Sequence, residues 1–205
     1  RQFASLVESL VRAWPVPVEE IAIVAHSMGG LVARSALHYA AQAKLAWPGR
    51  VARIVFLGTP HDGAPLERGG NWVNVVLDVS PYTTALARLG KLRSAGITDL
   101  RHGNLLDDDW AGKDRFASTR RRLVPLPASV QCFAAAASLA RKGASLRERF
   151  LGDGLVPVPS ALGLGRTPRG ALGIPAKRQW IGYGMNHLDL LDRPEVYDRI
   201  RRWLA

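Results

Sequence analysis

A serine stands between an apolar run and two glycines in the segment IVAHSMGGLVAR, residues 23–34. A serine that follows a buried strand can simply cap the next helix. In the alternative interpretation it is a nucleophile raised on a tight strand-to-helix turn, where the residues two before and two after it must be small. Ala25 and Gly29 occupy those positions, and Gly30 follows. A helix N-terminus also favours developing negative charge, so Ser27 is the first candidate for chemistry.

Two residues of the types that activate a serine follow later in the chain. Asp153 lies in GDGLVP and His187 in GMNHLD, each in a segment that contains glycine. An imidazole can take the proton of a serine hydroxyl, and a carboxylate can orient that imidazole. Both segments follow predicted strands, and the carboxyl ends of parallel strands meet at one edge of a sheet. We therefore expect Asp153 and His187 to lie at the same edge as Ser27.

Apolar patterns predict the elements that would position these residues. Apolar residues at helical spacing indicate helices, and short continuous apolar runs indicate strands buried on both faces. The predicted helices are 3–14, 28–43 and 194–204, and the predicted strands are 21–25, 51–57, 130–136 and 178–183. Strands that alternate with helices form βαβ units, so the predicted fold class is α/β, with a mostly parallel sheet flanked by helices.

The connection between the second and third predicted strands, residues 63–128, is too long for an ordinary loop. Apolar residues at helical spacing predict two amphipathic helices within it, the second beginning at Ser80 and Pro81. We expect this insertion to be a helical cap over the sheet edge where ligands bind. A helical excursion without a role in binding is the alternative. The chain 1–205 is otherwise predicted to be a single domain.

Composition narrows the classes of partner. The chain carries 28 Lys and Arg and a net charge of +11, but the basic residues are scattered and no nucleic-acid motif accompanies them. We predict no nucleic-acid partner, whereas contact with a membrane surface is compatible with the charge. No apolar run approaches the ~18 residues that span a membrane. The single cysteine, Cys132, is predicted to be a buried hydrophobe; this is compatible with a reducing compartment and slightly favours a cytoplasmic location.

Motifs for metals and nucleotide cofactors are absent from the sequence. It contains no HExxH, no Cys/His cluster, no P-loop and no G-x-G-x-x-G after a predicted strand. We therefore predict no metal and no cofactor.

Four motifs, AHSMGG, LGTPHDGAP, GDGLVPVPSA and GMNHLDLL, together resemble the α/β-hydrolase superfamily. They are most similar to bacterial lipase- and esterase-like hydrolases related to GPI inositol-deacylases and triacylglycerol lipases. Ala25 replaces the first glycine of the common Gly-x-Ser-x-Gly pattern. The resemblance implies the α/β-hydrolase fold, with Ser27 as nucleophile, Asp153 as acid and His187 as base. It also implies the backbone N–H of Met28 as an oxyanion-hole donor, and the order serine, acid, histidine agrees with it.

The function implied by this resemblance is hydrolysis of carboxylic esters by an esterase or lipase with an acyl-enzyme intermediate. The implied substrate is a small-molecule or lipid ester. Two alternatives remain: acyl transfer by the same triad, and a non-catalytic binding module with the same fold.

Other residues compete for roles at the site. Asp62 follows the second predicted strand, where some lipases carry their acid, and stays an alternative to Asp153. His26 adjoins the serine, but neighbouring side chains at a strand end point apart, so we predict a structural role. His38 and His102 are predicted to lie at the surface or behind the site. Asp189 stands where calcium-dependent bacterial lipases place a ligand, but no second ligand pattern is recognisable, which favours a surface or helix-capping role.

Strands expected from the family pattern are missing from the N-terminal part of the sequence. Only 20 residues precede the first predicted strand, whereas in the family fold the nucleophile strand lies between two others, one of them earlier in the chain. We expect a fragment, or a fold completed by another segment or chain, because strand 21–25 would otherwise form an apolar edge. The second oxyanion donor normally comes from a loop after such a strand, and nothing in this sequence matches it.

Overall fold

The computed structural model describes residues 1–63, 103–109, 123–143, 152–165 and 170–205. Within these ranges four parallel strands form one sheet with the order β1-β2-β3-β4. The strands are β1 (Ile21–His26), β2 (Val51–Leu57), β3 (Gln131–Ser138) and β4 (Gln179–Tyr183). All four predicted strands are present, and the predicted α/β class with a parallel sheet is confirmed.

Helices precede and follow these strands as predicted. They are α1 (Gln2–Ala13), α2 (Met28–Gln42), α3 (Val158–Ala161), α4 (Asp189–Asp192) and α5 (Pro194–Leu204), with short 3₁₀ helices at Trp47–Arg50, Asp107–Asp109 and Ala176–Arg178. The sequence predicts the three long helices but not the short ones, because a single turn contains too few residues to show a period. None of the helices in the described ranges is long and apolar enough to cross a membrane.

Helices cover both faces of the sheet at β2 and β3, but Ala22 and Val24 of β1 are exposed, so the predicted burial of strand 21–25 on both faces is wrong within the described residues. Alternate residues of a strand point to opposite faces, so Ile54 and Cys132 pack on the side of α1 and α2, while Val55 and Phe133 pack on the side of α5. This two-sided burial explains the largely apolar runs of β2 and β3 in the sequence. Cys132 is buried, as predicted, and burial raises the pKa of its thiol to about 11, so it is not a nucleophile at neutral pH.

Helix α1 buries fewer of its apolar side chains than its sequence pattern indicates. Val7 and Val11 pack against the core. Phe3, Leu6 and Leu10, which share the helical spacing, are 41–53% exposed. The predicted helix is therefore correct, but part of its apolar surface is not covered by the described residues. β1 is one of the two edge strands of the described sheet, so the expectation that another segment or chain completes the fold beside it stays a prediction.

Most of the insertion 63–128, including both of its predicted helices, lies outside the described residues, so its role as a cap stays a prediction. Its described parts contact α2. Ser35 Oγ donates a hydrogen bond to the carbonyl of Leu105 (2.7 Å), and Arg34 Nη2 donates to the carbonyl of Val124 (2.6 Å). Helix α2, which begins immediately after Ser27, therefore anchors two points of the insertion.

Candidate active site

Ser27 connects β1 to α2 through a strained turn. Its backbone has φ 53° and ψ −127°, values that resemble the first central position of a type II′ turn, which glycine normally occupies. The residue is at the N-cap position of α2, but its side chain makes no capping hydrogen bond. The interpretation of Ser27 as a simple helix cap is therefore wrong, and the predicted tight strand-to-helix turn is present.

The glycine that this turn requires for close packing is Gly30. A Cβ at Gly30 would lie 2.1 Å from Thr59 Oγ1, whereas a Cβ at Gly29 would meet no described atom within 4 Å outside its own turn. The sequence pattern predicted that Gly29, two residues after the serine, must be small. The structure shows instead that Gly30 must be small, because Gly30 faces Thr59 in the loop after β2.

Hydrogen bonds beyond the strand ends join the loops of the candidate site. The backbone N–H of Ser27 donates to the carbonyl of Leu57 (2.8 Å), and that of Gly58 donates to the carbonyl of Ala135 (2.8 Å). Further along the same edge, the N–H of Met185 donates to the carbonyl of Ser138 (3.0 Å). The parallel hydrogen-bond pattern therefore continues past the sheet and fixes the loops after β1, β2 and β4 relative to one another.

Asp153 is held by its own loop after β3. Its Oδ1 accepts hydrogen bonds from the N–H groups of Leu155 (2.9 Å) and Val156 (2.8 Å). The loop can close this tightly because residue 152 is glycine, with φ +85°, and a Cβ there would lie 2.0 Å from the carbonyl oxygen of Val156. The second carboxylate oxygen, Oδ2, is left for a different partner.

That partner is His187, which follows β4. His187 Nδ1 lies 2.7 Å from Asp153 Oδ2, and both side chains are almost completely buried. Because a carboxylate accepts, Nδ1 carries the proton in this pair and Nε2 of the neutral ring is an acceptor. Nε2 is buried and has no hydrogen-bond partner among the described residues. The predicted acid and base segments therefore meet, and one imidazole nitrogen remains available.

The imidazole of His187 lies against the loop after β2, close to the turn at Ser27. A Cβ at Gly58 would lie 2.9 Å from His187 Cε1, and Gly58 adopts φ +57°. Its neighbour Leu57 accepts the hydrogen bond from the N–H of Ser27. Because Gly58 has no side chain, the imidazole of His187 can lie next to Leu57, the residue that accepts the hydrogen bond from Ser27. Its position directly after an apolar strand was the sequence signal that could have identified it.

His26, next to the serine, contacts the same histidine. Its Nε2 lies 3.1 Å from the carbonyl oxygen of His187, and the two ring centroids are 4.6 Å apart. Burial and the neighbouring His187 lower the pKa of His26, although the hydrogen bond and the charge of Asp153 act in the opposite direction. The sequence predicted a structural role but not this partner, which is 161 positions away.

Asp62, the alternative candidate for the acid, does not occupy the position next to His187 Nδ1. The carboxylate bonded to His187 belongs to Asp153, whereas the backbone N–H of Asp62 donates to Ser160 Oγ (3.0 Å). The adjacent His61 is buried and its Nδ1 lies 3.3 Å from Arg34 Nη1. These contacts tie the loop after β2 to α2 and α3.

The remaining histidines are His38 and His102. His38 lies on α2 and is half-buried against the ring of Tyr39 (centroids 5.5 Å apart), consistent with its predicted place away from the site. His102 lies outside the described residues.

Asp189 stabilises the turn 186–189, which contains His187. Its Oδ2 accepts from the backbone N–H of Asn186 (2.8 Å), and its Oδ1 pairs with Arg193 Nε (3.3 Å). The bond to Asn186 and the pair with Arg193 lower the pKa of this carboxyl, although burial opposes them. Asp189 is the first residue of α4, whose N-cap Leu188 makes no side-chain capping hydrogen bond, so Asp189 stabilises the turn rather than capping the helix as predicted. No group of three or more acidic, His or Cys residues suited to a metal occurs within the described ranges.

Met28 is the first residue of α2, so its backbone N–H has no acceptor within the helix. An N–H in that position, at the positive end of a helix, can stabilise an oxygen that becomes negative during a reaction at Ser27. Together with the acid–base pair of Asp153 and His187, this arrangement is suited to nucleophilic attack on a carbonyl group.

The sequence model of the PGAP1-like alpha/beta domain matches residues 5–135 of this chain, well over half of it. The chain belongs to the PGAP1-like alpha/beta domain family. The match covers Ser27 and both glycines after it but ends before Asp153 and His187, so the arrangement of those two residues rests on the geometry alone. Among curated protein sequences, none matches this PGAP1-like domain significantly.

Solved structures resemble the PGAP1-like domain in fold. The mature form of Bacillus licheniformis lipase BlEst2 superposes with a TM-score of 0.52 and 17% identity over 99% of this chain and 71% of that chain. A metagenomic carboxyl esterase gives a TM-score of 0.49 and 19% identity over 98% of this chain and 60% of its own. The likeness to the lipase shows that this chain has the α/β-hydrolase fold, as the motifs implied.

Proposed function

We propose that this protein is a serine hydrolase that cleaves carboxylic esters through Ser27, His187 and Asp153. The observation that carries the proposal is the pair of Asp153 and His187, which holds the imidazole with Nε2 buried and unpartnered among the described residues. The strained, uncapped Ser27 lies at the same sheet edge. A buried imidazole nitrogen without a partner is costly, and its use as a proton acceptor accounts for that cost.

In the proposed acylation step, Ser27 Oγ attacks the ester carbonyl carbon while His187 Nε2 takes the hydroxyl proton. The carbonyl oxygen becomes an oxyanion that accepts from the N–H of Met28, and such a donor typically lowers the barrier by ~2.7–4 kcal/mol. Asp153 stabilises the imidazolium that forms. The bond to the leaving alcohol then breaks, and the alcohol takes the proton from Nε2.

In the proposed deacylation step, water attacks the acyl group bound to Ser27 and gives one proton to His187 Nε2. The tetrahedral intermediate collapses, the bond between the acyl carbon and Ser27 Oγ breaks, and Oγ recovers that proton. The acid is released and the enzyme returns to its starting state.

The substrate class that we propose is an ester with an apolar acyl group. Its support is a cleft of about 240 Å³ that begins at Met28, directly after the serine, and continues along α2. Phe3, Leu31 and Val32 form an apolar part of its wall, which suits an acyl chain because a charge there would lose its hydration. The wall also contains the ion pair of Arg1 and Asp107, so the cleft has a polar part as well.

The proposal is tested with a fluorophosphonate probe and a short p-nitrophenyl ester. We expect the probe to label Ser27, as mapped by peptide mass spectrometry, and the label to disappear in Ser27→Ala. We expect His187→Ala to abolish turnover, because it removes the proposed acceptor of the Ser27 proton.

A protein that unfolds cooperatively like a native domain, yet neither binds the probe nor turns over the ester, would be a binding module and not a hydrolase. Turnover near the wild-type rate in His187→Ala would remove that residue from its proposed role.

A further inference from the structure

The strand that carries the candidate nucleophile is hydrogen-bonded to the backbone of the candidate base. His26 Nε2 lies 3.1 Å from the carbonyl oxygen of His187. Because a carbonyl oxygen can only accept, His26 Nε2 must carry the proton in this contact. The bond joins the end of β1 to the loop after β4, between residues 161 positions apart.

We propose that His26 is a positioning residue that holds the imidazole of His187 in register with Ser27 by donating this hydrogen bond. It acts through the backbone of His187 and takes no part in the transfer of the proton. The inference deepens the hydrolase function proposed above and rests on it.

The geometry explains why such a bond matters. Asp153 fixes the ring of His187 through Nδ1, but its other hydrogen bonds among the described residues stay within the loop after β3 and do not reach the turn at Ser27. His26 is the residue immediately before Ser27, so its hydrogen bond couples the base to the nucleophile over a short covalent distance. A misplacement of reacting groups by about 1 Å can lower a rate by about 100-fold, which makes this coupling important for turnover.

The charge state of His26 fits the same role. Its ring centroid lies 4.6 Å from that of His187. If His26 were a cation, it would oppose the imidazolium that His187 forms during turnover. Burial and the neighbouring His187 lower the pKa of His26, against the smaller opposing effects of the hydrogen bond and of Asp153. A neutral His26 ring protonated at Nε2 can donate the hydrogen bond to the carbonyl of His187 and does not repel the imidazolium of His187.

The test compares two variants with side chains of similar length. In His26→Gln the amide nitrogen can still donate to the carbonyl of His187, whereas in His26→Met no donor remains. We expect His26→Met to lower kcat for a p-nitrophenyl ester by about 10- to 100-fold with little change in KM, because the proposed role of His26 is to position His187 and not to bind the substrate. We expect His26→Gln to recover most of that loss. His38→Ala, which replaces a histidine on α2, is the control.

A second measurement does not depend on activity. Nitrogen-15 NMR of the imidazoles in the wild-type protein at neutral pH should show His26 neutral and protonated at Nε2. This measurement decides the matter even if His26→Met fails to fold. A ring protonated at Nδ1 alone, or at both nitrogens, overturns the inference.

The outcomes separate this inference from the hydrolase proposal. If the wild type is active and Ser27 is labelled, but His26→Met and His26→Gln have equal kcat, only the positioning role falls. If the wild type is folded but inactive and Ser27 is not labelled, the hydrolase proposal falls and the positioning role falls with it.

Discussion

Asp153 Oδ2 and His187 Nδ1 lie 2.7 Å apart and join the loops that follow β3 and β4. The other carboxylate oxygen accepts two backbone N–H groups, from Leu155 and Val156. The carboxylate therefore cannot turn away without losing those bonds, and it holds the imidazole in one tautomer. Both side chains are buried, so water does not compete for these contacts.

The first prediction follows from this tautomer. Asp153→Asn replaces an acceptor by an amide that can present its N–H to Nδ1, which would put the imidazole proton on Nε2, the wrong nitrogen for a base. We expect kcat to fall by roughly 10⁴-fold. The measurement is steady-state hydrolysis of a p-nitrophenyl ester. Asp62→Asn is the matched control, and a comparable loss in that variant with normal kcat in Asp153→Asn would reassign the acid.

The second prediction concerns the strain at Ser27. Its φ of 53° with ψ of −127° suits glycine better than any residue with a Cβ. Relief of such strain typically gains about 1–3 kcal/mol, offset by the ~0.5–1 kcal/mol of extra backbone entropy that glycine loses on folding. We expect Ser27→Gly to be more stable than Ser27→Ala by about 1 kcal/mol in urea unfolding, with both variants inactive. Equal urea midpoints of unfolding for Ser27→Gly and Ser27→Ala would mean that the turn at residue 27 is not strained in solution.

The third prediction tests which glycine the turn requires. Gly30→Ala places a methyl group 2.1 Å from Thr59 Oγ1, whereas Gly29→Ala meets nothing described within 4 Å. We expect Gly30→Ala to lower the free energy of unfolding by about 1–3 kcal/mol. Gly29→Ala should be neutral or stabilising by up to about 1 kcal/mol, because alanine favours helix. Chemical denaturation of both variants checks this, and the reverse order would contradict the packing at Thr59.

The fourth prediction concerns the attachment of α1. Glu8 is buried, and its carboxylate accepts from the N–H groups of Ala46 and Trp47 and from Arg12 Nε. Burial would raise the pKa of Glu8, but these donors outweigh it and hold the pKa below its ordinary value. The folded form therefore binds the proton less readily than the unfolded chain, so the contribution of Glu8 to stability is present above its unfolded pKa and is lost as pH falls through the folded one.

The corresponding measurement is the Tm of Glu8→Gln against the wild type at several pH values. We expect Glu8→Gln to be less stable at pH 7, with the difference shrinking toward acid pH as the wild-type carboxylate becomes protonated. The control is Glu19→Gln, a change at an exposed position before β1 that should leave Tm close to the wild-type value. A difference in Tm between Glu8→Gln and the wild type that does not depend on pH would remove the charge of Glu8 as its cause.

The strands and long helices could be predicted because each has its signal within its own segment. The run at Val51–Leu57 is apolar except for Arg53, since helices cover both faces of β2, and α5 shows a helical period with Val196 and Trp203 buried. The helices Val158–Ala161 and Asp189–Asp192 could not be predicted in this way. Each is one turn long and depends on neighbouring loops more than on its own residues.

The residues of the candidate site were predictable in type but not in partnership. The sequence identified Asp153 and His187 by their places after predicted strands, yet it left Asp62 open as the acid. The partner of His187 depends on how the loops at Gly152 and Gly58 close. Gly152 packs closely against the carbonyl of Val156, and Gly58 packs against His187 itself; the sequence pattern does not reveal these contacts. The contact between His26 and the carbonyl of His187 had no sequence signal at all.

The amino-acid sequence by itself determined the α/β class, the order of the elements and the tight turn at Ser27, because periodicity, strand burial and glycine spacing act over a few residues. Only the tertiary structure decided that Asp153 reaches His187, that Gly30 makes the close contact and that His26 is tied to the opposite loop. Those facts depend on distances between segments up to 161 positions apart, and such distances are set only when the whole sheet and its loops pack together.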